Sequence, residues 1–137
     1  MKKTFLLLIA LACLGIELPA QLRMPQLFSD HMVLQRDHEI PLWGWAKGRD
    51  KIEIQIGAEI YKTRAEKDGR WEINLSEMPA GGPYTLTVKT RREELVFEDI
   101  LIGDVWICSG QSNMEWPLSS TNDAQAEIAA ADHSQIR

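Results

Sequence analysis

Cysteine is nearly absent from this sequence: two residues in 137, Cys13 and Cys108. Cys13 falls in an amino-terminal segment that reads as a removable leader. Cys108 is then left without an internal partner, and a disulfide framework is excluded. Its place in an apolar run points to a buried, inert thiol, with no basic neighbour to activate it. Histidine is also scarce, with three residues, and none is spaced with cysteine as a metal set would be. Phosphate loops and dinucleotide fingerprints are missing, so no metal or cofactor is expected. Basic runs are lacking too. With 15 Lys+Arg against 20 Asp+Glu and a formal net charge of −5, the chain is a poor partner for nucleic acid or an anionic membrane.

No apolar stretch spans a bilayer comfortably. Lys2 and Lys3 precede a short apolar run from Thr4 to Ile16, and Leu18-Pro19-Ala20 offers a small residue for cleavage. This is the pattern of a secretory signal peptide over residues 1–20, and it implies a secreted or periplasmic protein without stable membrane insertion. A lipoprotein attached through Cys13 is disfavoured, because Ala10-Leu11-Ala12-Cys13 lacks the large aliphatic residue three places before the cysteine.

Residues 21–102 have the period of strands. Ile52, Ile54 and Ile56 alternate with polar residues, as do Trp71, Ile73 and Leu75, and then Tyr84, Leu86 and Val88. Turn residues separate the runs, and Asp68-Gly69 signals a tight hairpin. The pattern predicts an all-β, antiparallel sandwich of jelly-roll or immunoglobulin-like type. Trp43, Trp45 and Trp71 invite a sugar-stacking reading, but aromatics at alternating strand positions are more often core.

The pattern changes after Gly103. Val105-Trp106-Ile107-Cys108 is apolar on both faces, as in a strand of a parallel sheet covered by helices. Asn122 and Gln125 mark the start of a helix running through the alanine-rich segment to Ala131. Ser134 to Arg137 resembles the entry to a further strand. Residues 103–137 thus read as the opening strand–turn–helix of an α/β domain, too little to be stable alone, and the chain reads as a fragment.

Between that strand and helix lies Ser109-Gly110-Gln111-Ser112-Asn113-Met114-Glu115-Trp116. A serine on a sharp strand-to-helix turn exposes its hydroxyl, and its own amide faces the same pocket. Ser112 is therefore a candidate nucleophile. Gly-x-Ser lacks the second glycine of the usual elbow, since Met114 stands there, and a helix-capping serine fits the spacing equally well. A serine nucleophile needs a base. His31, His38 and His133 do not supply it convincingly: none has an aspartate three residues before it. His31 and His38 read as surface or packing residues, and His133 as a partner for the helix C-terminus.

The Ser109–Trp116 block resembles the nucleophile block of the sialate O-acetylesterase family, a branch of the SGNH (GDSL-like) hydrolases. Leu27-Phe28-Ser29-Asp30-His31-Met32-Val33-Leu34-Gln35-Arg36, Pro41-Leu42-Trp43-Gly44-Trp45-Ala46, Asp68-Gly69-Arg70-Trp71 and Ala80-Gly81-Gly82-Pro83-Tyr84 resemble the same family, in collinear order. The resemblance implies a serine carboxylic-ester hydrolase acting on O-acetylated sialic acid or another acetylated glycan through an acetyl-enzyme. Ser112 would be the nucleophile and one oxyanion donor, at the start of a flavodoxin-like SGNH domain. Its remaining oxyanion donors and Asp-x-x-His pair would come from later blocks, so this chain alone is expected to be inactive. Gln111, Asn113 and Glu115 are pocket candidates by proximity. The competing reading is a glycan-binding or scaffolding β-sandwich without catalysis.

Overall fold

Alternating apolar side chains become seven strands in the computed structural model, which describes residues 21–137. The leader expected over residues 1–20, Cys13 included, lies outside the described residues. The strands are β1 (Val33–Gln35), β2 (Ile40–Trp45), β3 (Lys51–Ile56), β4 (Glu59–Arg64), β5 (Arg70–Leu75), β6 (Gly81–Lys89) and β7 (Glu94–Gly103). Five form one sheet in the order β1-β7-β6-β3-β4, and β2 pairs with β5 in a second. The first sheet contributes Ile52, Ile54, Ile56, Leu86, Val88, Ile100 and Ile102 to a buried cluster. The second contributes Ile40, Leu42, Trp71 and Leu75 to the same one. One core is thus enclosed by two sheets, and the protein is predominantly β.

Two expectations are corrected. The first sheet is not wholly antiparallel, because β1 runs parallel to β7. Tight turns impose antiparallel pairing only on strand neighbours in sequence, and almost the whole β region separates these two. Nor does Asp68-Gly69 close a hairpin. The turn is tight, with the Asp68 carboxylate accepting from the Arg70 amide at 3.0 Å, but β4 pairs with β3 and β5 with β2, so the chain passes there from one sheet to the other. The two-residue hairpin falls instead at Gly57-Ala58, between paired Ile56 and Glu59, with Gly57 at φ 56°.

Of the three tryptophans read as core, Trp71 is fully buried, while Trp43 and Trp45 are half-buried. Phe28 meets Trp43 edge-on with ring centroids 5.0 Å apart, and the Arg23 guanidinium lies 4.3 Å above Trp45. Gly44 permits this packing. A Cβ there would stand 2.4 Å from the Arg23 carbonyl oxygen and 2.9 Å from the Trp71 ring. Gly44→Ala is therefore expected to cost about 1–3 kcal/mol of stability, read as a lower urea midpoint at unchanged slope.

After Gly103 the expected strand is missing: residues 104–110 have no regular secondary structure, and Trp106 and Ile107 are 82% and 94% exposed. Cys108 is exposed rather than buried. An inner parallel strand needs partners on both edges and cover on both faces, and the described residues supply neither. Helix α1 (Ala124–Ala130) does form, but its cap is Asp123, at φ 57°, rather than Asn122, and no side chain caps it. His133 lies two residues beyond the C-cap residue Ala131, and its side chain makes no hydrogen bond to the helix among the described residues. Residues 134–137 form no strand; the Ile136 amide bonds the His133 carbonyl at 2.9 Å. Among the described residues no helix is long and apolar enough to cross a membrane.

Candidate active site

The segment carrying Ser112 leaves the β region under tight control. Residues 30–36 lie beside residues 98–105, and their polar side chains join the two. Asp30 accepts from the Glu98 amide at 2.8 Å. His31 Nδ1 meets Asp99 Oδ2 at 2.6 Å. Gln35 Oε1 accepts from the Val105 amide at 2.9 Å, and Arg36 Nε donates to Asp104 Oδ1 at 2.9 Å. Backbone bonds interleave, from Leu101 to Met32 and from Arg36 to Gly103. This polar zipper fixes where β7 ends and the direction in which residues 104–112 depart.

A β-bulge sets its middle. Leu86 pairs with Phe97 but Tyr84 pairs with Ile100, so β7 carries one extra residue there. Asp99 takes φ 57° in the bulge and His31 takes φ 64° opposite it, a left-handed conformation that aspartate and histidine adopt more readily than most other residues with a side chain. Bulges re-aim side chains, and this one brings Asp99 to His31 and to Arg137, whose guanidinium bonds both carboxylate oxygens. Hydrogen bonds from Arg137, then from His31, hold the Asp99 carboxyl down to about 2. Because the folded state favours the ionised form, the interaction stabilises fully above the ordinary value of 3.8 and is lost as pH falls through about 2. Asp99→Asn should therefore lower thermal stability at neutral pH and flatten the acid limb of a melting-temperature profile over that window.

Ser112 opens a 3-10 turn, Ser112–Glu115, with Gln111 at the cap position. It is therefore inside the turn and is not its cap. Its hydroxyl is exposed and makes no hydrogen bond among the described residues, and the amides of Ser112 and Asn113 stand free, as the first amides of a helical turn do. Met114, standing where the usual elbow has its second glycine, folds over the first: its Cγ would stand 2.6 Å from a Cβ on Gly110. Ser112 and Glu115, three apart in a 3-10 turn, share one face. Gln111, Asn113 and Glu115 are all exposed and make no side-chain hydrogen bonds among the described residues. None of these four lines a described cavity. A groove of about 850 Å3 lies upstream, lined by Trp106 and Cys108 together with His31, Gly82 and Arg137. No histidine hydrogen-bonds Ser112 among the described residues; His31 is committed to Asp99. The described residues therefore present a free serine hydroxyl beside two free amides, with no base hydrogen-bonded to it. No group of His, Cys, Asp or Glu suited to a metal occurs among them.

The sequence reading missed the zipper. One signal was available: the apolar positions of β7 step by two to Phe97, then by three to Ile100, which marks a bulge at Glu98-Asp99.

No protein-family model matches the chain. Sialate O-acetylesterase of Mus musculus is 30% identical over 118 residues, covering 78% of this chain and 22% of that protein. The Homo sapiens sialate O-acetylesterase is 29% identical over 119 residues, covering 78% and 23%. Among solved structures, a carbohydrate acetylesterase from Xanthomonas citri matches with a TM-score of 0.75 and 39% identity, over 82% of this chain and 26% of that one. The chain thus spans about a quarter or less of the length of each.

Proposed function

Because this chain belongs to the sialate O-acetylesterase family, matching about a quarter or less of the length of the members compared, we propose that the full-length protein is a secreted carbohydrate acetylesterase. Ser112 attacks the acetyl carbonyl of an O-acetylated sugar, its proton passing to a base contributed from beyond residue 137. The oxyanion is held in part by the Ser112 amide, and water then releases acetate from the acetyl-enzyme. Sialic acid is the first substrate to test and other acetylated sugars the second. Residues 1–20 serve as the signal peptide, residues 21–102 as a jelly-roll or immunoglobulin-like sandwich, and residues 103–137 as the start of an SGNH α/β domain. Their exposed Val105, Trp106 and Ile107 await its remaining strands and helices.

The observation that carries this reading is the likeness to the Xanthomonas citri enzyme, reaching 39% identity. The polar zipper favours a scaffold role for the sandwich within an esterase. Trp43 and Trp45, already engaged by Phe28 and Arg23, are poorly placed to stack on a sugar. The test is acetate release from O-acetylated sialic acid and from acetylated neutral sugars. The full-length protein should release it from at least one, and the 137-residue chain from none. Failure of the full-length protein on every acetylated sugar would overturn the proposal.

A further inference from the structure

The outer face of the five-stranded sheet gathers cations that the sequence scatters. Lys51 of β3 stands directly opposite Arg64 of β4, and Glu53 faces Lys62 of β4 on one side and Lys89 of β6 on the other. These four cations and Arg91 line one shallow groove of about 680 Å3, in which Glu53 is the sole carboxylate. Lys62 pairs with Glu53 at 3.4 Å. Among the described residues Lys51, Arg64, Lys89 and Arg91 make no ion pair. Like charges directly opposite on antiparallel strands are destabilising, and an acidic residue at position 51 would turn that repulsion into attraction. In a chain of net charge −5, such a cluster runs against the composition. Its end is held firmly: buried Thr90 accepts at its hydroxyl from the amides of Arg92 and Glu93, at 3.3 and 3.1 Å, shaping the turn that carries Arg91.

We propose that this groove binds an acidic polysaccharide, with carboxylates of successive sugars pairing with Lys51, Arg64, Lys89 and Arg91 while Glu53 accepts sugar hydroxyls. The choice of a glycan among polyanions rests partly on the acetylated-sugar reading above. It rests also on the lining, which has no aromatic side chain on which bases could stack and no exposed apolar residue to enter a bilayer. Glu53 matches a polyhydroxyl ligand but repels the dense charge of a phosphodiester chain. Such a site would hold a polymeric substrate while the esterase centre works along it, raising its local concentration.

The test is titration of the chain at low salt with polygalacturonate and with polysialic acid, beside dextran, duplex DNA and anionic phospholipid vesicles. At least one acidic glycan should bind more tightly than dextran, DNA or vesicles. Lys89→Glu/Arg91→Glu should weaken it at least about tenfold, whereas Lys47→Glu/Lys67→Glu, with the same change of net charge away from the groove, should change it less than about twofold. Lys51→Glu should weaken binding while raising the melting temperature, which separates lost binding from lost fold. No binding of either acidic glycan, equal binding of dextran, DNA or vesicles, or an equal loss in the control pair would overturn the proposal. Acetate release is not read, so glycan binding without esterase activity would reject the esterase reading alone, and activity without binding would reject the groove alone.

Discussion

Ser112→Ala in the full-length protein is expected to reduce kcat for acetate release at least about 10³-fold and to leave the melting temperature unchanged. The second half rests on the Ser112 hydroxyl being exposed and unbonded among the described residues, so its removal opens no cavity and orphans no partner among them. The first half follows from the proposed chemistry, in which the acetyl group is carried on the Ser112 oxygen. Cys108 lies four residues away and is exposed, so Cys108→Ser serves as a control that should retain full activity. Glu115→Ala, removing the side chain that shares a face with Ser112, should have a smaller effect, and one confined to KM would place Glu115 in substrate binding. Activity that survives in Ser112→Ala would remove this serine from the mechanism.

How much of this was legible depended on how local the determinant was. Strand positions followed from period-2 alternation, because the β3 and β6 isoleucines, leucine and valine face one core. The identity of strand partners did not follow. Asp68-Gly69 has the chemistry of a hairpin turn, yet whether its flanking strands pair is decided by which sheet each can cover, a non-local matter. Asn122 read as a helix cap and the neighbouring Asp123 took that place, a shift of one residue that local chemistry scarcely distinguishes. The Val105–Cys108 strand is the instructive miss. Its residues carry the apolarity of an inner strand, but apolarity stabilises a strand only against neighbours, and among the described residues it has none. The candidate site was legible in one residue, Ser112. The zipper that directs it joins positions about seventy residues apart, and the basic groove joins three strands and a turn. Neither leaves a run in the sequence.

The second large effect concerns the fold beneath the site. Trp71→Ala is expected to destabilise the protein by about 3–5 kcal/mol, a large share of the ~5–15 kcal/mol that holds a typical domain together. Trp71 is 1% exposed, sits on β5 within the cluster that both sheets share, and has Gly44 closing over its ring. Truncation leaves a cavity where the two sheets meet, and the short β2–β5 pair has little else with which to follow the collapse. Trp71→Phe should cost much less. The indole Nε1 is buried without a hydrogen-bond partner, so phenylalanine forfeits contact area and no bond, while relieving a desolvated donor. Urea unfolding should rank the midpoints wild type, then Phe, then Ala, at a common slope. An Ala midpoint equal to wild type would mean that the sheets do not share this core. The readout also separates the two predictions. Trp71→Ala lowers total activity only as molecules unfold, so activity per folded molecule stays at the wild-type value; Ser112→Ala lowers it in molecules that remain folded.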